Sequence, residues 1–430
     1  MVNEGEAPDV TGTDQGGRRF RAPVRGFDTA TAGYDGPVFE VFKPAAIQPS
    51  GRGCGATVRT FSVTPQPDVL PIGGTWSVPG DFDEWRSNVR RAVLADVNAF
   101  VAGRRAELDG ASIDAAGDIL LEFISGGKCL RSTFMYLGWR CGAPPDRAAL
   151  SAAASLELLH AFALLQDDVM DDSPERRGRP AAHLQFETWH RERGLSGSAR
   201  RFGESCAILL GDLCLIWAEQ MLRESGVDPQ CLQRAWSRYD AMRTELAIGQ
   251  FADLTSDARR QPSLDTVLDV ARRKSGNYTV RRPLEIGAAM AYCDNHTLAG
   301  LGRYGTAVGE AFQLRDDILG VFGSPAVTGK PCAGDLRERK ATSVVVAAQE
   351  RADTATRREL MHLMASDDLD DAALERWKSL IEATGAVQHV EDMIRERVSS
   401  AREELRELPI DESVRDALAS MATACTERAV

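Results

Sequence analysis

From about Asp81 onward the chain is written almost without interruption in helical periods. "FDEWRSNVRRAVLADVNAFV", "RAALSAAASLELLHAFALLQ", "SCAILLGDLCLIWAEQML", "CLQRAWSRYDAMRTELAIGQFADL" and "HTLAGLGRYGTAVGEAFQLRDDILGVF" repeat apolar residues three and four apart. Gly, Pro, Asp and Ser punctuate them. No segment shows a convincing strand-like alternation. The pattern predicts an all-α fold: a single large helical bundle over residues 81–430, of roughly a dozen helices around a central core.

Residues 1–80 read differently. They hold nine of the 19 prolines and 13 glycines, but one leucine, Leu70. Such a segment cannot bury enough apolar surface to offset its ordering entropy. It is expected to be a largely disordered extension. Its short apolar pieces, "GPVFEVFKP" and "VLPIGGTW", suit docking onto a partner protein or a protein compartment, with a passive tail as the alternative.

The formal net charge is −12 and no block of five or more Lys/Arg occurs, which argues against nucleic acid as a partner. The start, "MVNEGEAPDV", has no apolar signal core. No uninterrupted apolar run approaches the roughly 18–20 residues of a bilayer span, so no transmembrane segment is expected. Nine cysteines are scattered without CxxC or Cys/His metal spacing. That usage fits a reducing, cytoplasmic setting.

Lysine is scarce. Only six of the 51 basic residues are lysine: Lys43, Lys128, Lys274, Lys330, Lys340 and Lys378. In an arginine-rich chain a retained lysine can mark a site that wants a compact ammonium.

The segment "LLHAFALLQDDVMDD" ends an apolar helix with Asp167, Asp168, Asp171 and Asp172. At about 100° per residue, Asp167 and Asp171 share a face, with Asp168 beside them. Alone, this could be a solvated helix end. A second apolar helix, "AFQLRDDILG", also ends in a pair, Asp316 and Asp317. Two such ends can face each other across a cavity only if cations are present. Oxygen-only ligands suit magnesium completed by phosphate. The cations are at hand in "GGKCLR" (Lys128, Arg131), "ERRGRP" (Arg176, Arg177), "RRKSGNYT" (Lys274) and "TGKPCAGDLRERKAT" (Lys330, Lys340). Together they suit a site for diphosphate groups.

This ordered series, GGKCLR, H-x6-DDVMD, RRG, GQFAD, KSG, FQLRDD and GK…D…K, resembles the trans-polyprenyl diphosphate synthases over about residues 85–420. The wording "DDILGVFGSPAVTGKP" is nearest to bacterial geranylgeranyl diphosphate synthases. The resemblance implies a homodimeric enzyme that condenses isopentenyl diphosphate with allylic diphosphates, using magnesium, three ions per site. By the same resemblance Asp167, Asp171 and Asp316 are metal ligands, supported by Asp168 and Asp317. Arg176, Lys274, Gln313 and Lys330 would hold the allylic diphosphate. Lys128, Arg131, His160 and Arg177 would hold isopentenyl diphosphate. Lys340 closes the cationic set, and Gln250 and Asp253 form a GQxxD pair near the allylic pocket. His160 has independent support: seven residues before Asp167, it lies about 20° from it on the helix.

The resemblance also places the floor of the chain pocket at Phe162 and Ala163. An aromatic followed by a small residue points to a twenty-carbon product, geranylgeranyl diphosphate, with farnesyl diphosphate as the alternative. Ala163 lies about 40° from Asp167, but Phe162 about 140° away, so its role rests on resemblance alone. The chain departs from the usual pattern at Cys129 and Ser132, in place of a basic residue and a proline. It departs again at Gly320, in place of a third aspartate. A class I terpene cyclase would need no second diphosphate site, so GGKCLR and the arginine pair argue against it. A non-catalytic partner or scaffold subunit would be expected to lose the aspartates that this chain keeps.

Overall fold

The computed structural model describes residues 79–109, 114–255, 262–323, 333–366 and 369–427. The expectations for residues 1–78 and for Lys330 fall outside these. The chain order begins α1 Pro79–Gly103, α2 Arg105–Asp109, α3 Asp114–Ile124, α4 Leu130–Arg140 and α5 Arg147–Met170. It continues with α6 Ala182–Glu192, α7 Ala199–Arg223, α8 Pro229–Thr255, α9 Leu264–Ala271, α10 Arg282–Met290 and α11 Asn295–Phe322. Shorter helices follow, among them Ser343–Arg351, Asp371–Ala383, Ala386–Arg406 and Glu412–Thr426.

Polar residues written at the breaks start many of these helices. Asp146, Asp294, Asp353 and Asp370 each accept the backbone N–H three residues on, at 2.7–2.8 Å. Such a cap contributes on the order of 1 kcal/mol. The main apolar core gathers α1, α4, α5, α7, α10 and the first half of α11. A second core forms where Leu314, Ile318 and Val321 of α11 meet Val345, Trp377 and Val390. The 28-residue α11 thus runs through both.

Helices α4 and α10 pack with their backbones almost touching. A Cβ on Gly287 would stand 1.8 Å from the Met135 carbonyl oxygen, and one on Gly138 would stand 2.2 Å from that of Leu284. Glycine at both positions is what permits this approach.

Periodicity missed two features. Glu175–Arg176 and Arg179–Pro180 pair as a short antiparallel hairpin. Its turn residues Arg177 and Gly178 have φ of 57° and 74°, as a two-residue hairpin turn requires. The segment Arg272–Arg281 is a π-helix joining α9 to α10. Residue periodicity cannot distinguish that winding from an α-helix.

By length and composition α5 and α7 are apolar enough to cross a bilayer, although no single run is uninterrupted. Packing accounts for α5, whose apolar window is 67% buried within the protein; that of α7 is 50% buried.

Candidate active site

The end of α5 is shaped by its backbone. Asp171 caps the helix and Asp172 turns left-handed, with φ of 49°. The Ser173 N–H then bonds to the Asp168 carbonyl at 2.9 Å, and the Asp172 N–H bonds to that of Val169 at 3.4 Å. This is a Schellman stop with aspartate where glycine is usual. Carboxylates here face the negative end of the helix dipole, which disfavours them. Cations from elsewhere in the chain therefore have to hold them.

Three cationic side chains and one amide do so. Arg176, on the hairpin, grips buried Asp168 through Nε at 2.9 and 3.2 Å from the two carboxylate oxygens. Lys274 Nζ, in the π-helix, lies 3.2 Å from Asp167 and 2.6 Å from Asp253. Gln250 on α8 donates to Asp167 at 3.2 Å. Lys340 Nζ lies 3.2 Å from Asp171. Burial alone would raise Asp167, but Lys274, Arg176 and Lys340 override it and hold the carboxyl below its ordinary value. Asp168 goes the other way: burial raises it, and Arg176 offsets only part of that.

Across the cavity stands α11. Its Asp317 is buried and accepts from the Ser343 N–H at 2.9 Å, the Ser343 hydroxyl at 2.6 Å and Gln313 Nε2 at 2.8 Å. Burial raises its carboxyl despite these donors. Asp317 thus anchors the start of the Ser343–Arg351 helix and orients Gln313. Asp316 lines a cavity of about 520 Å³ together with Lys128, Asp167, Asp171, Lys274 and Lys340. The two aspartate clusters and three of the lysines expected from sequence therefore meet in one place.

These donors fit a hard divalent cation. They are carboxylate oxygens from two helix ends, with ammonium groups within 3.2 Å of two of them. Among the described residues, no three acidic, His or Cys side chains are drawn close enough to hold a metal unaided. Oxygens from a substrate would have to complete the shell, as magnesium sites commonly require.

A second pole surrounds the Gly126–Arg131 loop. Arg131 donates to the Thr279 hydroxyl at 3.0 Å and stacks on the Tyr278 ring at 4.3 Å. The His160 ring lies 6.3 Å from Tyr278. Arg131 Nε, His160 Nδ1 and the Tyr278 hydroxyl are buried, and none has a hydrogen-bond partner among the described residues. These buried polar atoms come from three elements that meet around the Tyr278 ring, an arrangement suited to a polar ligand. Arg177 stands at the same pole, where its guanidinium donates to the carbonyls of Phe123 at 2.8 Å and Gly126 at 2.6 Å and braces the loop.

The polyprenyl synthetase family profile matches residues 115–381. The chain belongs to the polyprenyl synthetase family. It is a prenyltransferase, joining isoprenyl diphosphates head to tail. Geranylgeranyl diphosphate synthase of Mycobacterium tuberculosis is 33% identical over 279 residues, 64% of this chain and 74% of that protein. Geranylfarnesyl diphosphate synthase of Aeropyrum pernix is 33% identical over 290 residues, 66% and 85% of the two chains. A crystal structure of geranylgeranyl pyrophosphate synthase from Corynebacterium glutamicum, complexed with isoprenyl diphosphate and magnesium, superposes with a TM-score of 0.75. It is 34% identical, and the match covers 79% of this chain and 99% of that one.

Within this polyprenyl synthetase the departures at Cys129 and Ser132 share one partner. Both face Glu157, a buried carboxylate one helical turn before His160. The Ser132 hydroxyl donates to it at 2.7 Å. Burial, and after it Glu157, pushes the Cys129 thiol well up, so it stays protonated. Arg90 of α1 adds a guanidinium, donating to the Gly127 carbonyl at 2.6 Å. The motif reading missed both residues. A glutamate inside "SLELLHAF" was a readable signal; Arg90 is one arginine among several on α1 and gave none.

His160 is half-buried near Arg131, Arg177 and Arg176. Burial first, then those cations, pushes its imidazole well below the ordinary range, so it is neutral near pH 7. The unfolded chain binds a proton here below about pH 6.5 and the folded chain does not, so stability should fall as pH drops through that value, by up to about 1.4 kcal/mol per unit. In denaturant titrations His160→Gln should flatten the slope between about pH 6.5 and 5. An unchanged slope would show that His160 is not the group responsible.

Proposed function

We propose that the enzyme condenses isopentenyl diphosphate with allylic diphosphates and releases mainly the twenty-carbon product, geranylgeranyl diphosphate. The observation that carries this reading is the meeting of Asp167, Asp171 and Asp316 with Lys128, Lys274 and Lys340 around one cavity. Asp167, Asp171 and Asp316 would hold the metal, and magnesium bound there would draw charge from the departing diphosphate. Lys274, Arg176 and Gln313 would take the allylic diphosphate, with Lys330 assigned to the same group from sequence. Lys128, Arg131 and neutral His160 would hold isopentenyl diphosphate, with Arg177 fixing the loop that carries Lys128.

The allylic C–O bond breaks with its electron pair leaving on the diphosphate, giving an allylic cation. The terminal double bond of isopentenyl diphosphate attacks the first carbon of that cation. The condensed cation then loses a proton, for which the released diphosphate is the acceptor. No step needs a nucleophilic side chain. A silent scaffold would have no need for the ion pairs that hold the first aspartate cluster in place.

The relatives named above make products of different length, so kinship does not fix this one. Phe162 and Ala163 are half-buried against the main core, one turn back from Asp167. Purified enzyme given magnesium, labelled isopentenyl diphosphate and each allylic primer should yield chiefly the twenty-carbon diphosphate. Phe162→Ala should shift it to longer chains. A sole fifteen-carbon product from excess isopentenyl diphosphate would favour the farnesyl alternative and overturn this assignment.

The same proposal includes a homodimer. Leu209 and Phe251 are 66% and 71% exposed, and Ile208, Ile216 and Ile248 on the same two helices, α7 and α8, are exposed as well. Arg243 of α8 bonds Glu219 of α7 at 3.0 Å. Large apolar side chains left this exposed suit an interface. Phe251→Glu should turn a dimer into a monomer in light scattering. A wild-type monomer, or a variant that stays dimeric, would remove this surface from consideration.

A further inference from the structure

Lys340 is already engaged by carboxylates, Asp171 at 3.2 Å and Glu338 at 2.7 Å. Two donors on either side of it in the chain are not. The helix Gly334–Arg337 stops as α5 does: the Lys340 N–H bonds to the Asp335 carbonyl at 2.9 Å, and the Arg339 N–H to that of Leu336 at 3.0 Å. The left-handed residue of this stop is Arg339, at φ 54°. A backbone position that suits glycine thus carries a long cationic side chain. Arg339 lines the same cavity as Lys274 and Asp316, and its buried Nε has no hydrogen-bond partner among the described residues.

Thr342 stands at the N-cap of the Ser343–Arg351 helix. Ser198 and Ser263 hold that position on α7 and α9, and each accepts the backbone N–H three residues on at 3.3 Å. Thr342 makes no such bond. It is only 8% exposed, its hydroxyl is buried without a partner among the described residues, and it too lines the cavity. An N-cap hydroxyl that neither caps its helix nor reaches another group calls for a ligand. Its place is fixed by the next residue, Ser343, whose N–H and hydroxyl donate to Asp317 at 2.9 and 2.6 Å. Asp317 also accepts from Gln313, so Thr342 and the Gln313 amide share one anchor. The positive end of the Ser343–Arg351 helix favours an anion at the same spot.

We propose that Arg339 and Thr342 bind the allylic diphosphate, a role that rests on the reading of this cavity given above. The Arg339 guanidinium and the Thr342 hydroxyl donate to its phosphate oxygens beside Gln313. Lys274, Arg176 and Lys340 each divide their charge between aspartates and substrate. Arg339 Nε and the Thr342 hydroxyl are not divided in this way.

Arg339→Gly removes the guanidinium and relieves the left-handed backbone, so it should unfold at or near the wild-type temperature. Its KM for the allylic diphosphate should rise about tenfold or more, as loss of a charge-assisted hydrogen bond implies, with KM for isopentenyl diphosphate within about twofold. Thr342→Val should raise the allylic KM about fivefold or more, and Thr342→Ser, which keeps the hydroxyl, should return it to within about twofold. Calorimetric titration of inorganic diphosphate with magnesium into the full-length protein reads the same site without turnover, and binding should weaken in step. If wild type neither binds inorganic diphosphate nor turns over an allylic primer, the reading of the whole cavity fails. If wild type does both and Arg339→Gly keeps its allylic KM within about twofold, that reading stands and the role of Arg339 is refuted. The same result in Thr342→Val refutes Thr342; should that variant not fold, Thr342→Ala takes its place. Weakening confined to inorganic diphosphate would assign the pair to the released product, and a rise confined to isopentenyl diphosphate would assign it to the other pole. Either outcome overturns the proposal.

Discussion

Asp167→Asn should lower turnover by about two to three decades, equivalent to a few kcal/mol of transition-state stabilisation. The change keeps the size of the side chain and removes its charge. Asp167 is the carboxylate on which Lys274 and Gln250 converge at 3.2 Å each, with Arg176 at 3.8 Å. Its loss would disturb the metal site and leave Lys274 without one of its two anionic partners. Steady-state rates with saturating allylic primer and isopentenyl diphosphate provide the measurement. Turnover within tenfold of wild type would remove Asp167 from the set of essential ligands.

Gly287→Ala should be the most damaging single methyl group in the bundle. At 1.8 Å from a backbone oxygen it cannot be accommodated by a rotamer change, because the obstacle is the main chain of α4. The two helices must separate, and buried neighbours such as Leu137 and Leu284 lose contact. A cost of about 3 kcal/mol or more, at the upper end for overpacking, is expected. In thermal unfolding this corresponds to a drop of roughly 6 °C or more for a domain of this size. A midpoint within about one degree of wild type would mean that α4 and α10 do not pack as closely as described.

The helices were readable because their apolar periods are long and their breaks carry capping residues. The π-helix was not, since its residue pattern over "RRKSGNYTVR" differs too little from that of an α-helix. The hairpin was not either; two paired residues per strand leave no alternation to detect. Within the site, the charged residues could be found because they sit in ordered motifs. Their pairings could not be. That Lys274 reaches Asp167, or Lys340 reaches Asp171, depends on how segments distant in sequence come together. The assignment of Asp317 shows the same limit: sequence places it beside Asp316, while the fold turns it toward Ser343 as an anchor. Arg177 likewise spends its guanidinium on loop carbonyls.

Helix α11 belongs to two cores at once, and this bears on where mutations can act. Its Asp316 faces the cavity, while the neighbouring Leu314 and Ile318 are buried against the C-terminal helices. The width of the gap between the two aspartate clusters is therefore set by packing on the far side of a rigid rod. Residues such as Trp377 and Val345 line no part of the cavity, yet they fix how that rod lies. A selection for altered rate or metal demand should return substitutions there as readily as among the charged groups themselves, and such remote variants would tune the enzyme without touching its chemistry.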